Sequence, residues 1–496
     1  MRRESSGKKG YIHLAIDFVM VMIKDCRYLL LCVLICSFPA MKGQSLEPED
    51  CHFLKGVRNK SRMICGQLLV PEDHDRPEGK KISISYVVLK SEDPDSKAYP
   101  MIHFTGGPGG QSLRRLDRYL ANPILKHRDI IRFDQRGIGL SNALPDLTTW
   151  IFGLIAEDLT SEEEYAKMKG LILQLKLECM EQGIEIDMYN TFQSARDVGM
   201  LMNHLSYEKY NLRGGSYGTR IARVVADMFP EKIHTAIYDS PAPHRSDYLT
   251  TRLEDYSASL RKVFDYCNGR PDCKAKYPNL ESDYFEVLRM LESSPITANY
   301  ENKPYVLNPQ DAIFMIRYEL YRNDSRSRVP RYIRALKERD LAWINSVLRY
   351  RGISASNFAM FLTCENYEEY DHTLDDRDIQ EKYESLDLMP NELALFTSLY
   401  KSSRNFLSQY ASDEMIRYKT SEIPSLMFIN YYDPVTPPEN VQIFQQTLED
   451  SRAFILNEGG HGGGDMDCKR DIMHDFMENP NVEDLDVSCL KLWKPD

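Results

Sequence analysis

The 496-residue sequence lacks several features that define particular classes of protein. No block of like charge exceeds a few residues, although 74 acidic and 62 basic residues give a formal net charge of -12. A nucleic-acid partner is therefore disfavoured. The absence of a C-x-x-C pair and of a His-rich tract argues against a zinc site, and we expect neither a metal nor a cofactor. Internal repeats and low-complexity linkers are also missing. With 496 residues, 42% of them hydrophobic, the chain can bury a large core.

The N-terminal region has no apolar run long enough to span a bilayer comfortably. Its apolar run "YLLLCVLICSF", residues 28–38, instead suits the core of a signal peptide, and basic residues precede it. Small residues at Gly43 and Ser45 offer a cleavage site. We therefore predict a signal peptide within residues 1–45 and export to a periplasmic or extracellular compartment. The alternative is an uncleaved N-terminal segment, which would be the only membrane contact expected.

The cysteine content agrees with export. Three of the 11 cysteines lie in the presumed signal, and the remaining even set is typical of disulfides. Three pairings are favoured because each closes a short loop: Cys51 with Cys65, Cys267 with Cys273, and Cys468 with Cys489. Elimination then pairs Cys179 with Cys364. Other connectivities stay open, because spacing alone does not fix them.

The pattern of apolar residues indicates one sheet domain with an insertion. Segments such as "KKISISYVVLKS" and "DIIRFDQRGIGLS" indicate strands, and strand patterns alternate with helical ones, which predicts an α/β fold with a mostly parallel sheet flanked by helices. This pattern occupies residues 46–245 and returns at 421–496. Residues 246–420 are polar, Tyr-rich and mostly helical, without recurring strands. They predict a helical cap inserted into the sheet domain.

A serine lies between glycines where a predicted strand meets a predicted helix, in "LRGGSYGTRIARVV". The backbone of such a turn is crowded, so small residues at Gly214 and Gly218 would let the side chain of Ser216 project outward. This is the G-x-S-x-G nucleophile elbow of serine hydrolases. On its own the pattern is weak evidence, and partner residues are required.

Two loops after later strands supply candidate partners. Asp433 and His461 each follow an apolar run, at the carboxyl ends of strands, where open parallel sheets bind their ligands. The order Ser216, Asp433, His461 is the order of the triad in this fold. Ser216 would attack a carbonyl carbon, His461 would transfer the proton, and Asp433 would orient the imidazole. Taken singly, Asp433 could be a turn former before proline and His461 a flexible surface residue.

The glycine-rich motif "FTGGPGG" is a candidate oxyanion hole. Backbone N–H groups can approach a substrate oxygen where side chains are absent. A phosphate-binding loop would need G-K-[ST], which "GGQSLRR" lacks. We assign the oxyanion hole to the N–H groups of Gly107 and Tyr217, with Gly106 as the substitute for Gly107. In the neighbouring "FDQRGIG", Asp134 and Arg136 are predicted to satisfy backbone groups near this loop.

Six motifs together carry a family resemblance: "CGQLLVPEDHDRP", "TGGPGG", "FDQRGIGLS", "GGSYGT", "YDPVTPP" and "GGHGGG". In this order they resemble the proline iminopeptidase and tripeptidyl aminopeptidase branch of the α/β-hydrolase fold. The resemblance implies a serine exopeptidase that releases one or a few residues from peptides with free N-termini, beneath a helical cap. Thr105 stands where proline iminopeptidases commonly have histidine, which favours the secreted tripeptidyl aminopeptidases.

The same resemblance implies that acidic cap residues bind the substrate amine. The segment "CENYEEYD" offers Glu365, Glu368, Glu369 and Asp371. We nominate Glu365, because a disulfide at the preceding cysteine would fix its backbone. A solvated helix face is the alternative explanation for these carboxylates.

Two other classes of function compete with an aminopeptidase. A hydrolase of carboxylic esters or other small acyl groups would use the same triad, because substrate choice depends on the cap and not on the sheet. A non-catalytic binding protein on this scaffold is disfavoured by the intact set of three residues.

Overall fold

The computed structural model of this chain describes most of the sequence beyond the predicted signal. The described residues are 51, 54, 60–114, 116–245, 248–300, 302–349, 356–388 and 394–494. The predicted signal segment 1–45 lies outside them. Within these ranges, no helix combines the length and apolar character needed to cross a membrane.

An eight-stranded sheet organises the fold. The strands of the chain are β1 (Met63–Pro71), β2 (Lys81–Leu89), β3 (Met101–Phe104), β4 (Ile130–Phe133), β5 (Tyr210–Gly215), β6 (Ile233–Asp239), β7 (Ile296–Tyr300), β8 (Lys303–Leu307), β9 (Ser425–Asn430) and β10 (Ser451–Leu456). The sheet order is β1-β2-β4-β3-β5-β6-β9-β10. β2 pairs antiparallel with β1 and β4, and the remaining pairings are parallel. The predicted mostly parallel sheet is confirmed.

Helices flank this sheet and form most of the chain between β6 and β9. They are α1 (Thr148–Ile155), α2 (Ser161–Glu181), α3 (Thr191–Leu205), α4 (Tyr217–Met228), α5 (Tyr248–Gly269), α6 (Pro271–Lys276), α7 (Leu280–Ser293), α8 (Pro309–Leu320), α9 (Ser325–Glu338), α10 (Leu341–Arg349), α11 (Phe358–Glu368), α12 (Asp376–Glu384), α13 (Ala394–Ser403), α14 (Asp413–Ile416), α15 (Asn440–Gln445) and α16 (Met466–Glu478). Strands β4 and β9 are buried at every position, as expected for parallel strands covered on both faces.

Helix α4 positions the start of the candidate site. Its residues Ile221, Val224 and Val225 are buried, as their three-and-four spacing predicts. The helix packs against β3, β5 and β6 and against α3. Burial of this apolar face fixes the turn between β5 and α4 relative to the sheet.

The insertion between β6 and β9 contains one feature that the sequence analysis missed. β7 and β8 pair antiparallel, with Ile296 opposite Leu307. The turn includes Asn302 at φ 64°, a left-handed conformation that asparagine tolerates. Both strands are five residues long, and Pro304 lies within β8, so their pattern did not suggest strands.

Helix α2, within the predicted sheet-domain residues 46–245, contacts the predicted insertion. Lys176 Nζ donates to the carbonyl of Phe406 at 3.0 Å, and Ser402 Oγ donates to the carbonyl of Tyr165 at 3.3 Å. α2 packs against α13. The segment between β4 and α3 therefore packs against the insertion.

Three predicted disulfides are present, and the fourth is wrong. Bonds join Cys51 to Cys65, Cys267 to Cys273, and Cys468 to Cys489. Cys179 and Cys364 are buried free thiols. The thiol of Cys364 contacts the hydroxyl of Tyr217 at 3.2 Å, and Cys179 packs on the buried face of α2. The pairing of Cys179 with Cys364 by elimination was wrong because a free cysteine packs well as a small apolar residue and needs no partner.

Candidate active site

Ser216 lies on a strained turn between β5 and α4. Its backbone has φ 54° and ψ -130°, which is unusual for a residue other than glycine. A Cβ atom at Gly214 would lie 2.5 Å from the carbonyl oxygen of Gly218, and one at Gly218 would lie 2.2 Å from that of Phe104. The two glycines of the motif are therefore required by close backbone packing, as the sequence analysis expected.

The structure brings Ser216, His461 and Asp433 into hydrogen-bond contact. His461 Nε2 lies 2.8 Å from Ser216 Oγ, and His461 Nδ1 lies 2.8 Å from Asp433 Oδ2. Asp433 follows β9 and His461 follows β10, so adjacent parallel strands deliver both side chains to the same edge of the sheet. This arrangement can carry a proton from a hydroxyl to an imidazole while a carboxylate holds the ring.

Asp433 is fully buried and fully hydrogen-bonded. Its Oδ1 accepts the backbone N–H groups of Val435 and Thr436, each at 2.9 Å, and its Oδ2 accepts the hydroxyl of Thr436 at 2.8 Å. Burial alone would raise the pKa of Asp433, but the charge and hydrogen bond of His461 and the bonds from Thr436 hold it below its usual value. The carboxylate is therefore ionised beside the imidazole at neutral pH.

The glycine-rich loop after β3 lies against the serine. A Cβ atom at Gly106 would lie 3.0 Å from Ser216 Cβ, and Gly107 has φ 140°, so both positions favour glycine. Tyr217 is the first residue of α4, where backbone N–H groups have no acceptor within the helix. Gly106, Gly107 and Ser216 line the same cavity, and the oxyanion hole at the N–H groups of Gly107 and Tyr217 stays a prediction.

Asp134 and Arg136 contact the backbone as predicted. Asp134 Oδ1 accepts the N–H groups of Ser112 and Leu113 at 2.7 and 3.0 Å, which anchors the segment after the glycine-rich loop. Arg136 donates to the carbonyl of Met188 at 2.9 Å and pairs with Asp197 at 2.6 Å. Neither side chain lines the cavity described below.

Several residues that contact the loop around His461, residues 459–464 and here called the histidine loop, were not identified from the sequence. Ser240 Oγ accepts the N–H of Gly462 at 3.0 Å. Lys469 is fully buried; its ammonium donates to the carbonyl of Gly463 at 2.6 Å and pairs with Asp239 at 2.9 Å. Thr436, the donor to Asp433, differs from them because it lies within the sequence motif "YDPVTPP".

A cavity of about 410 Å³ opens beside Ser216 and His461. Its wall includes the aromatic residues Phe314, Tyr318, Tyr321, Phe358, Phe361 and Phe396. Two arginines, Arg252 and Arg317, also line it, whereas no Asp or Glu of the described ranges does. No group of three or more ligand-type side chains suited to a metal occurs within those ranges. The cavity can accept an apolar acyl group next to the serine.

Glu365, the nominated amine ligand, is fully buried on α11 and lies behind the cavity wall. Its nearest ion-pair contact is Arg252 Nη2 at 4.0 Å, and both carboxylate oxygens lack a hydrogen-bond donor in the described part of the chain. Burial raises the pKa of Glu365, while Arg220 and Arg252 oppose this shift. The carboxylate is thus separated from the cavity by a side chain that lines it.

The neighbouring carboxylates are paired within the protein. Glu368 accepts hydrogen bonds from the backbone and hydroxyl of Thr191, both at 2.7 Å, and Glu369 pairs with Arg220 at 3.0 Å. Both carboxylates are almost fully buried. The alternative of a solvated acidic helix face is therefore wrong for Glu365, Glu368 and Glu369.

Comparisons with known proteins show which families the chain is similar to. A family model described as "alpha/beta hydrolase fold" matches residues 99–272, which include the glycine-rich loop and Ser216. A second model, described as "TAP-like protein", matches residues 406–489, which include Asp433 and His461. The three candidate catalytic residues thus fall within segments typical of such hydrolases.

Two curated relatives and one solved structure show how far the similarity extends. A tripeptidyl aminopeptidase of Streptomyces coelicolor is 28% identical over 36% of this chain and 34% of its own length. The serine protease Hip1 of Mycobacterium bovis is 25% identical over 47% and 45%, respectively. The aligned segments therefore span less than half of each relative. A proline iminopeptidase structure from Mycobacterium smegmatis matches 84% of this chain and 99% of its own at 15% identity, with a TM-score of 0.39. The family models and the curated relatives show an α/β-hydrolase fold and a serine hydrolase that is similar to the tripeptidyl aminopeptidases.

Proposed function

We propose that this protein is an exported serine exopeptidase that releases one or a few residues from peptides with free N-termini. The observation that carries the proposal is the hydrogen-bonded series from Ser216 through His461 to Asp433. The peptidase names of the relatives support the choice of substrate class. The three disulfides support export, because such bonds persist in oxidising compartments.

In the proposed reaction, Ser216 Oγ attacks the carbonyl carbon of the scissile peptide bond while His461 Nε2 takes its proton. The N–H groups of Gly107 and Tyr217 stabilise the resulting oxyanion. His461 then donates the proton to the leaving amine, and the C–N bond breaks to give an acyl-enzyme. Water, deprotonated by His461, attacks the acyl carbon. The ester bond to Ser216 Oγ then breaks, His461 returns the proton to Oγ, and the carboxylic acid product leaves. Asp433 holds the imidazole in the required tautomer throughout.

Recognition of the substrate amine is assigned to Glu365 within this proposal. Neither oxygen of its carboxylate has a hydrogen-bond donor among the described residues, and the carboxylate lies beside Arg252, which lines the cavity. A displacement of the Arg252 side chain would open a path between the cavity and the carboxylate. An ammonium group there would supply the donors that both oxygens lack.

Hydrolysis of carboxylic esters is the second candidate function, and one observation favours it. The cavity wall in the described ranges is aromatic and carries arginines but no carboxylate, so it offers no direct partner to a cationic amine. Parallel assays with peptide amides bearing free N-termini and with short acyl esters separate the two candidates. Efficient peptide cleavage supports the exopeptidase, whereas strong ester turnover without peptide cleavage contradicts it.

A further inference from the structure

Arg317 is a buried cation in the wall of the candidate active-site cavity. It lies on α8, and only 5% of its surface is exposed. Its guanidinium carbon lies 5.3 Å from the ring centroid of Tyr321 and 5.2 Å from that of Phe396. The ring of Tyr321 is in turn 5.2 Å from the ring of His461. One aromatic ring thus separates the guanidinium from the proposed general base.

The guanidinium of Arg317 contacts rings but no anion. No described carboxylate forms an ion pair with it, and its Nε has no hydrogen-bond acceptor. Arg252, the other arginine of the cavity, differs because it donates to the carbonyl of Val435 at 3.2 Å and faces Glu365. Arg317 is therefore a cation of the cavity wall that pairs with no carboxylate in the described part of the chain.

A buried cation without an anion is unfavourable, because desolvation is not repaid by an ion pair. Contacts with aromatic faces recover only part of that loss. The planar guanidinium has a fork of donors that matches a carboxylate. An anionic group of a ligand in the cavity would complete this arrangement.

We propose that Arg317 binds an acidic side chain on the residue whose carbonyl Ser216 attacks, so that the enzyme prefers an acidic residue there. This inference rests on the proposed function and specifies its substrate class. The aromatic walls would contact the methylene groups of such a side chain, while the guanidinium would pair with its carboxylate. Arg317 acts in this proposal as a specificity residue and takes no part in proton transfer.

The test compares substrates that differ only in charge. Peptide amides with Glu or Gln at the attacked residue are assayed with wild type, Arg317→Lys and Arg317→Met. We expect wild type to favour Glu in kcat/KM by about tenfold to a hundredfold. Arg317→Met should abolish this preference, because kcat/KM should fall far more for the Glu substrate than for the Gln substrate, and Arg317→Lys should keep part of it.

A matched control variant is Arg326→Met. Arg326 also lies over aromatic rings, Tyr266 at 4.8 Å and Tyr432 at 5.4 Å, but outside the cavity. The Arg326→Met variant should keep the preference of wild type for the Glu substrate. Equal rates for Glu and Gln in wild type, or equal losses for both in Arg317→Met with unchanged Tm, would overturn the proposal.

Two further pairs of substrates identify the source of the carboxylate and separate this inference from the proposed function. Neutral tripeptides with a free or an amidated C-terminus show whether the terminal carboxylate is recognised; Arg317-dependent preference for the free terminus alone would overturn the side-chain assignment. Activated esters of glutaric acid and of its monoamide repeat the charge comparison without a peptide bond. If wild type discriminates between these esters, Arg317→Met does not, and no peptide is cleaved, then the carboxylate site is supported and the peptidase function is refuted.

Discussion

Replacing Asp433 by asparagine perturbs the proposed triad at its most buried member. Asp433 Oδ1 accepts two backbone N–H groups, so the asparagine carbonyl oxygen would keep this position. Its NH₂ group would then occupy the place of Oδ2 and donate to Nδ1 of His461. That bond holds His461 in the tautomer with its proton on Nε2, which cannot accept the proton of Ser216.

The expected loss is large because the geometry is preserved while the chemistry is blocked. A wrong tautomer costs about four orders of magnitude in kcat, or roughly 5.4 kcal/mol in activation free energy. The assay measures kcat/KM on a peptide amide with a free N-terminus, together with Tm by calorimetry. We expect a loss of about 10⁴ in a variant that still folds.

Thr436→Val is the matched control for this variant. It removes the hydroxyl that donates to Asp433 Oδ2 at 2.8 Å but leaves the carboxylate and the tautomer in place. One hydrogen bond is worth about 0.5–1.5 kcal/mol, so the loss should be about two- to twelvefold. Asp433→Asn with activity within tenfold of wild type, or a Thr436→Val loss as large as that of Asp433→Asn, would refute the tautomer argument.

Three other predictions follow from burial and charge. Burial raises the pKa of the Cys179 thiol to about 11 and that of the Cys364 thiol well above its usual value, so neither should react with a thiol reagent in the native protein. After denaturation without reductant, mass spectrometry should find these two labelled among the cysteines beyond residue 45, and labelling of the disulfide cysteines would contradict export. Glu365→Gln should lower kcat/KM for free-amine peptides by about tenfold to a hundredfold and leave kcat/KM for N-acetylated peptides unchanged, with Asp371→Asn as the control. Equal losses on both substrates would show that Glu365 does not bind the substrate amine. Because the pKa of Asp433 is lowered in the folded state, its stabilising effect is present above the unfolded pKa of about 3.9 and is lost as pH falls through the folded pKa. Denaturant melts from about pH 6 downward should therefore show a steeper loss for wild type than for Asp433→Asn.

The positions of the strands and of the three candidate catalytic residues could be predicted because their signals are local. Ser216 is flanked by glycines that crowding requires, and Asp433 and His461 each follow an apolar run that forms a buried strand. Parallel strands place their carboxyl ends at one edge of the sheet. Proximity in space therefore followed from the order of elements along the chain.

Features that depend on distant parts of the chain could not be predicted in the same way. Lys469 reaches the histidine loop from α16, and Arg317 reaches the cavity from the insertion, so neither has a neighbouring sequence signal. Cys179 and Cys364 were paired only by counting, which takes no account of how each thiol packs. The acidic cluster at Glu365 has the composition of an exposed helix face but lies in the interior, beside Arg220 and Arg252.

The central claim is that Ser216 is the nucleophile of a peptidase, and the most direct test is cleavage of a peptide with a free N-terminus by Ser216→Ala. Removal of one oxygen atom leaves the turn and its packing in place, so Tm should stay close to that of wild type. The account predicts that kcat falls by roughly four to six orders of magnitude. A folded Ser216→Ala variant with near-normal cleavage would contradict it.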